Sequence, residues 1–252
     1  MTKTKTLFAL DFDGVICNSA VETAITGWKA AQGFWPDMKG QAISDIQIQQ
    51  FRKVRPCLEF GSEAVLIMRF LQQGDVMRSD CEGYHQQLQA LIDAKQLDRD
   101  RLQTAFGNTR DREIQNDEVA WIASNPLFEG VAEKLKTLEQ DDWFIVTTKQ
   151  ERFVKHILQA NEIELDEARI FGLDRKLNKQ TVLKRLKAEC PERPITFIED
   201  RLPTLVGVQE NSELHNIKLQ LVDWGYNTEA ERNDAKNRAI EVIGVEEFLK
   251  VI

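Results

Sequence analysis

Residues 7–10, Leu-Phe-Ala-Leu, are a short unbroken apolar run, and comparable runs recur at Trp143–Thr147, Ala168–Phe171, Ile195–Glu199, Ile217–Val222 and Ala239–Ile243. Short apolar runs bounded by polar residues predict strands, and continuous stretches such as Phe144-Ile145-Val146 predict a sheet buried on both faces. Helical patterns fall between the later runs, at Val131–Leu138, Glu151–Ala160, Lys179–Ala188, Leu202–Asn211 and Glu229–Asn237. Strand–helix alternation with right-handed crossovers predicts an α/β fold, a doubly wound (Rossmann-like) parallel sheet.

The stretch from 18 to 125 reads differently. It shows no strand pattern, only helical segments broken by Gly and Pro. Ser19-x-x-Glu22 reads as a capping box opening a helix through Ala31, and Gly33, Pro36 and Gly40 interrupt the chain beyond it. Further helices are expected from Ser44 to Val54, Glu63 to Leu71, Cys81 to Lys95 and Arg112 to Ala123. A crossover needs only a dozen or so residues, so roughly a hundred helical ones between the first strand and the rest predict an inserted domain. The expected division is a core of residues 1–17 and 126–252, with an all-helical cap over 18–125. The insertion begins just beyond Asp13, so it is expected to lie over the end of the first strand as a lid.

Bulk properties narrow the function. The 252 residues are 42% hydrophobic, enough for a sizeable core, and carry a formal net charge of -8. An acidic chain gains nothing from a nucleic-acid backbone, so no nucleic-acid partner is expected. No apolar run is long enough to span a bilayer, so no membrane partner is expected either. Met-Thr-Lys-Thr-Lys-Thr leads into a strand ending in acids, unlike a signal peptide, and a cytoplasmic location is expected. Cys17, Cys57, Cys81 and Cys190 form no Cys-x-x-Cys pair or zinc-finger spacing, and reduced thiols are expected.

The chemistry begins where the first strand ends, at Asp11-Phe12-Asp13-Gly14. Side chains alternate faces along a strand, so Asp11 and Asp13 start on the same side. One acid suits a nucleophile and the other a proton donor, with a divalent cation suppressing their repulsion. An EF-hand is excluded, because Val15 stands at the third ligand position and no Glu closes a loop of about twelve residues. In a doubly wound sheet ligands bind beyond the carboxyl ends of the strands. Those ends carry Thr147-Thr148-Lys149, Glu199-Asp200-Arg201 and Asp223-Trp224-Gly225, and Lys179 opens a helical segment among them. Singly, each has a plain structural reading: a turn, a helix cap, a solvated lysine, helix N-terminal acids. Their joint occurrence in this order does not.

Together these residues resemble the motifs of the haloacid dehalogenase-like superfamily. Asp11-Phe12-Asp13-Gly14 matches the first motif, Thr147 the second, Lys179 in Asn178-Lys179-Gln180-Thr181 the third, and Glu199-Asp200 the fourth. Pro126-Leu127-Phe128-Glu129-Gly130-Val131 and Trp224-Gly225-Tyr226 are similar to segments of phosphoglycolate-phosphatase-like members, and an insertion at this place corresponds to the family's helical C1 cap.

The resemblance implies a phosphomonoester hydrolase that uses Mg2+ and acts on a small phosphorylated metabolite. It assigns Asp11 as nucleophile, Asp13 as general acid and base, and Thr147 (through its hydroxyl and backbone N–H) and Lys179 as holders of the phosphoryl oxygens. Metal ligation falls to Asp11, Asp200 and the backbone carbonyl of Asp13, with Glu199 as helper. An acid at position 13 fits a phosphatase or phosphomutase, because dehalogenation of carbon leaves no oxygen to protonate. A phosphomutase of sugar phosphates and a non-catalytic binding protein remain open. The family's fourth motif often has another acid four residues on, where Thr204 stands here, and Thr148 replaces a frequent Asn, with an altered substrate contact as the implied result.

Within the cap, Arg52, Lys53 and Arg55 form a basic cluster suited to a second anionic group, Arg52 and Arg55 being the candidate substrate contacts; a solvated helical face is the competing reading. His85 beside Tyr84 is either a specificity pair or an isolated surface histidine, and Trp28 and Trp35 read as packing residues. A monomer or homodimer is expected.

Overall fold

The apolar run at Leu7–Leu10 forms β1, and the five later runs form β2 (Trp143–Val146), β3 (Ile170–Phe171), β4 (Ile195–Glu199), β5 (Lys218–Val222) and β6 (Glu241–Ile243). The structure, a computed structural model, describes residues 5–75 and 81–252; the first four residues of the N-terminal segment lie outside the described residues. All strand pairs are parallel, in the order β3-β2-β1-β4-β5-β6. β1 is therefore central and lies at the reversal in strand order, where open α/β sheets bind ligands. β1, β2 and β4 are buried along their whole length, as a sheet covered on both faces requires.

Helices follow in the expected alternation. Among the described residues α1 (Ala20–Ala31), α2 (Asp45–Val54), α3 (Glu63–Gln73), α4 (Cys81–Lys95) and α5 (Arg99–Ala123) fill the space between β1 and β2 along the chain. Thereafter come α6 (Val131–Leu135), α7 (Glu151–Ala160), α8 (Lys179–Glu189), α9 (Leu202–Gln209), α10 (Glu229–Asn237) and α11 (Val245–Val251). β5 begins one residue later than the sequence suggests, and β3 and β6 begin two residues later. β3 waits for Ile170 because Asp166 caps a 3-10 turn by accepting from the Ala168 N–H at 2.8 Å. β6 waits for Glu241 because Ala239 adopts φ +58, a left-handed conformation that no strand accommodates.

The chain divides into two compact units, one made of residues up to Asn18 with Leu127–Ile252, the other of Ser19–Pro126. The first has a core of strand residues such as Leu7, Ala9, Val146 and Phe197 against Val182, Leu186, Leu202 and Leu205. The second has its own core, in which Trp28 and Trp35 pack with Met38, Phe51, Ile67 and Phe106.

Three local expectations for the helical unit are corrected. Ser19 does not complete a capping box: its hydroxyl finds no hydrogen-bond partner among the described residues, and Glu22 turns elsewhere. The Glu22 carboxylate is buried and accepts from Arg110 through Nε at 2.8 Å and Nη2 at 2.6 Å, and from Thr26 and Trp121. A bidentate guanidinium outcompetes a neutral backbone N–H for a buried carboxylate. The last helix starts at Arg99 rather than Arg112 and breaks at Asp117, whose carboxylate accepts from the Ala120 N–H at 2.9 Å and recaps it. Cys57 and Cys81 are joined in a disulfide with their Cα atoms 4.9 Å apart, so the expectation of four reduced thiols fails. The turn after α2 and the start of α4 meet at a separation suited to a disulfide, a proximity that spacing along the chain does not reveal.

Candidate active site

β1 delivers Asp11 to the carboxyl edge of the sheet. Its register sets Leu10 beside Ile145 on one side and Ile198 on the other, and the Asp11 N–H still donates to the Ile198 carbonyl at 2.9 Å. Asp11 thus leaves the sheet next to Glu199, the last residue of β4. The chain then turns through Gly14, whose φ is +96 and where a Cβ would collide with the Asp200 carboxylate. Only glycine lets the backbone pass so close to that acid. Asp200 is fixed from the opposite side, its Oδ2 accepting from the Tyr226 N–H at 2.8 Å and its carbonyl from Asn227 Nδ2 at 2.8 Å.

The sequence-predicted residues of the first, third and fourth motifs come together here. Lys179, at the first position of α8, places its ammonium 2.7 Å from Asp11 Oδ1 and 2.6 Å from Glu199 Oε2. Asn178 caps that helix by accepting from the Thr181 N–H at 2.8 Å, which fixes where Lys179 leaves it. Burial pushes the Asp11 carboxyl up to about 7, the charge of Glu199 adds to the rise, and Lys179 opposes it. Burial likewise raises Glu199, against the pull of Lys179. Burial works against the Lys179 charge, but the carboxylates of Asp11 and Glu199 outweigh it and hold the amine above its ordinary range. At Asp11, burial and the neighbouring acid thus outweigh Lys179.

Asp11, Glu199 and Asp200 are all buried, and each brings a carboxylate oxygen within 4.8 Å of the others. Hard oxygens converging on one point, with burial disfavouring the ionised forms of Asp11 and Glu199, fit a divalent cation. A second group in the helical unit, Glu59, Glu63 and His85, shares the same spacing. There Tyr84 Oη donates to Glu63 Oε2 at 2.8 Å and its ring meets His85 edge-on with centroids 5.0 Å apart.

Thr147 is buried at the end of β2, and its backbone N–H donates to the Phe171 carbonyl at 2.9 Å. The N–H proposed to hold phosphoryl oxygens is thus spent in the sheet ladder, and only the hydroxyl, which accepts from the Lys149 N–H at 3.1 Å, remains for that part. Thr148 is exposed. The Arg52 and Arg55 pair is split by the fold: Arg52 is exposed on α2, whereas Arg55 is buried. They do not form one basic face. Lys149 carries no role in the sequence motifs, yet its ammonium lies 3.1 Å from Asp13 Oδ1 with its side chain fully shielded from solvent. The signal available was a lysine two residues past Thr147, at a strand end already full of polar groups.

Residues 5–205 match the family described as haloacid dehalogenase-like hydrolase. No curated protein is similar enough in sequence to be matched. Several solved structures share the fold at low identity. A predicted phosphoglycolate phosphatase from Haemophilus somnus is 16% identical with a TM-score of 0.60, the alignment covering 100% of this chain and 99% of that one. A predicted phosphatase from Clostridium acetobutylicum is 17% identical with a TM-score of 0.57, covering 98% of each chain. A family hydrolase from Deinococcus radiodurans with bound phosphate and sodium is 15% identical with a TM-score of 0.52, covering 98% of this chain and 93% of that one. The matched span contains the four motif positions together with the strands that carry them, and the chain belongs to the haloacid dehalogenase-like hydrolase family.

Proposed function

We propose that the protein is a Mg2+-dependent phosphomonoester hydrolase that acts on a small phosphorylated metabolite through an aspartyl-phosphate. The observation that carries this reading is the buried carboxyl of Asp11 grouped with two further acids, with a separate carboxyl at Asp13 two residues on. Solved structures of the same fold that are named as phosphatases, and a family hydrolase holding phosphate, support it.

In this reading Asp11, Asp200 and the backbone carbonyl of Asp13 would hold the cation, with Glu199, paired to Lys179, as helper. Bound there, Mg2+ neutralises charge on the acids and on the phosphate and lets an anion approach an anion. Asp11 Oδ attacks phosphorus in line, the bond from phosphorus to the ester oxygen breaks, and Asp13 gives that oxygen its proton. Asp13 then takes a proton from water. That water attacks the phosphorus, the bond to Asp11 breaks, and inorganic phosphate leaves. Lys179 and the Thr147 hydroxyl hold the equatorial oxygens as charge shifts between them. The helical unit, which the chain enters at Ser19 after the Asp13 turn, is in this reading the part that selects the substrate.

The test is hydrolysis of p-nitrophenyl phosphate and a panel of phosphorylated metabolites with and without Mg2+. Asp11→Asn should lower kcat by about 10^4-fold or more, since nothing else in the site replaces a lost nucleophile. An Asp11→Asn protein with full activity would overturn the assignment.

A further inference from the structure

Lys149 is an unusual residue for the interior. Lysine is almost never fully buried unless it is paired, and here the side chain is 0% exposed, with its ammonium 3.1 Å from Asp13 Oδ1 and 5.9 Å from the centre of the Phe12 ring. The surrounding backbone holds it in place. The Lys149 N–H donates to Thr147 Oγ1 at 3.1 Å, and its carbonyl accepts from the Leu173 N–H at 3.1 Å. The strand end at Gly172 runs so close to Lys149 that a Cβ there would lie 2.7 Å from the Lys149 carbonyl oxygen. Main chain after β2 and main chain after β3 thus clamp this residue on both sides. Its amine meets the Asp13 carboxylate and the Phe12 ring rather than water.

The two lysines of the site also divide their partners. Lys179 serves Asp11 and Glu199, whereas Lys149 serves Asp13. Resting on the phosphatase reading above, we propose that Lys149 is the positioning residue for Asp13. It anchors Oδ1 and so sets the plane of the carboxyl group that carries the proton between leaving oxygen and water. A proton donor works only when its oxygen lies within hydrogen-bond reach of the atom it serves. A carboxylate in a turn has more than one rotamer open to it. Pinned by a buried ammonium, it keeps one.

This role predicts a dependence on the leaving group that neither a packing role nor a phosphate-binding role produces. Phenyl phosphate and p-nitrophenyl phosphate have the same shape near phosphorus, but phenoxide is the more basic leaving group and needs the proton more. Lys149→Met and Lys149→Gln should lower kcat/KM for phenyl phosphate about tenfold more than for p-nitrophenyl phosphate, a fraction of what a general acid contributes in full. Asp13→Asn should show the same split in larger measure, and Asp13→Asn/Lys149→Met should be no worse on phenyl phosphate than Asp13→Asn. The double variant leaves no unpaired buried charge, so it keeps the test open should Lys149→Met not fold. Equal losses on both substrates in the Lys149 variants, or additive losses in the double variant, would overturn the role of Lys149 alone. Absence of hydrolysis by the unaltered protein, or an Asp13→Asn variant with no split, would instead overturn the phosphatase reading.

Discussion

Both units of this protein bury charge, but they do so to opposite ends. In the helical unit Glu22 is met by a bidentate Arg110, by Trp121 Nε1 and by Thr26 Oγ1, so its lone pairs are taken and its charge is matched. In the sheet unit Asp11, Glu199 and Asp200 crowd together, Lys179 is shared between two of them, and burial drives Asp11 up to about 7. In the first arrangement a guanidinium matches the carboxylate, and in the second burial outweighs the lysine at Asp11. A buried charge that is fully answered reports on folding; one left in excess reports on what the site receives.

The largest effect is expected where charge is matched. Glu22→Gln leaves Arg110 buried without its counter-charge, and removing one partner of such a pair costs about 3–5 kcal/mol. Glu22→Gln/Arg110→Met should recover much of that loss, as read from urea unfolding midpoints. A double variant as unstable as Glu22→Gln would show that the pair contributes more than mutual neutralisation.

A smaller effect is expected from the Cys57–Cys81 disulfide, which closes a sequence separation of 24. Constraint on a loop of that length is worth about 3 kcal/mol, so Cys57→Ser/Cys81→Ser should lower unfolding stability by that order. Asp11, the proposed nucleophile, belongs to the other compact unit, and turnover of p-nitrophenyl phosphate should stay within about twofold, as expected for sites that share no partner. A loss of turnover far beyond this would mean that the two units are less independent than their separate cores suggest.

The mildest effect belongs to the acids of the sheet unit. The Asp11 carboxyl is raised in the folded protein, from 3.8 to about 7. Its contribution to stability is therefore full below the unfolded value and is lost as pH rises through about 7. Without metal, the protein should lose stability between about pH 5 and pH 8 more steeply than Asp11→Asn does. Mg2+ favours the ionised carboxylates, so it should raise Tm by several degrees more at about pH 8 than at about pH 5, given that 1 kcal/mol shifts Tm by about 2–4 °C in a chain of this size. A Mg2+ effect independent of pH would place the cation elsewhere.

Much of the fold was legible in the chain because strands and helices advertise themselves over a few residues. The β4 run Ile195–Glu199 and the helices Glu151–Ala160 and Glu229–Asn237 fall where the pattern sets them. The candidate site was legible for a related reason: in a parallel sheet the polar residue after an apolar strand is carried to one edge, so Asp11, Thr147, Glu199 and Asp200 could be picked out as a set. The hidden features depend on partners far apart in sequence. Lys149 and Asp13 are 136 residues apart, and Glu22 and Arg110 are 88. The Ser19-x-x-Glu22 pattern misled because local spacing cannot show that a guanidinium waits on another helix. Likewise the Thr147 N–H is spent on Phe171, a commitment that only the pairing of β2 with β3 reveals.

Periodicity and the order of residues along one strand were therefore enough for the α/β alternation, the helical insertion in chain order and the paired aspartates that end the first strand. Which charges are balanced is a matter of tertiary structure: Lys179 answers Asp11 and Glu199, Lys149 answers Asp13, and in the helical unit Cys57 meets Cys81. Charge balance depends on distance and burial, and neither exists until the strands are side by side.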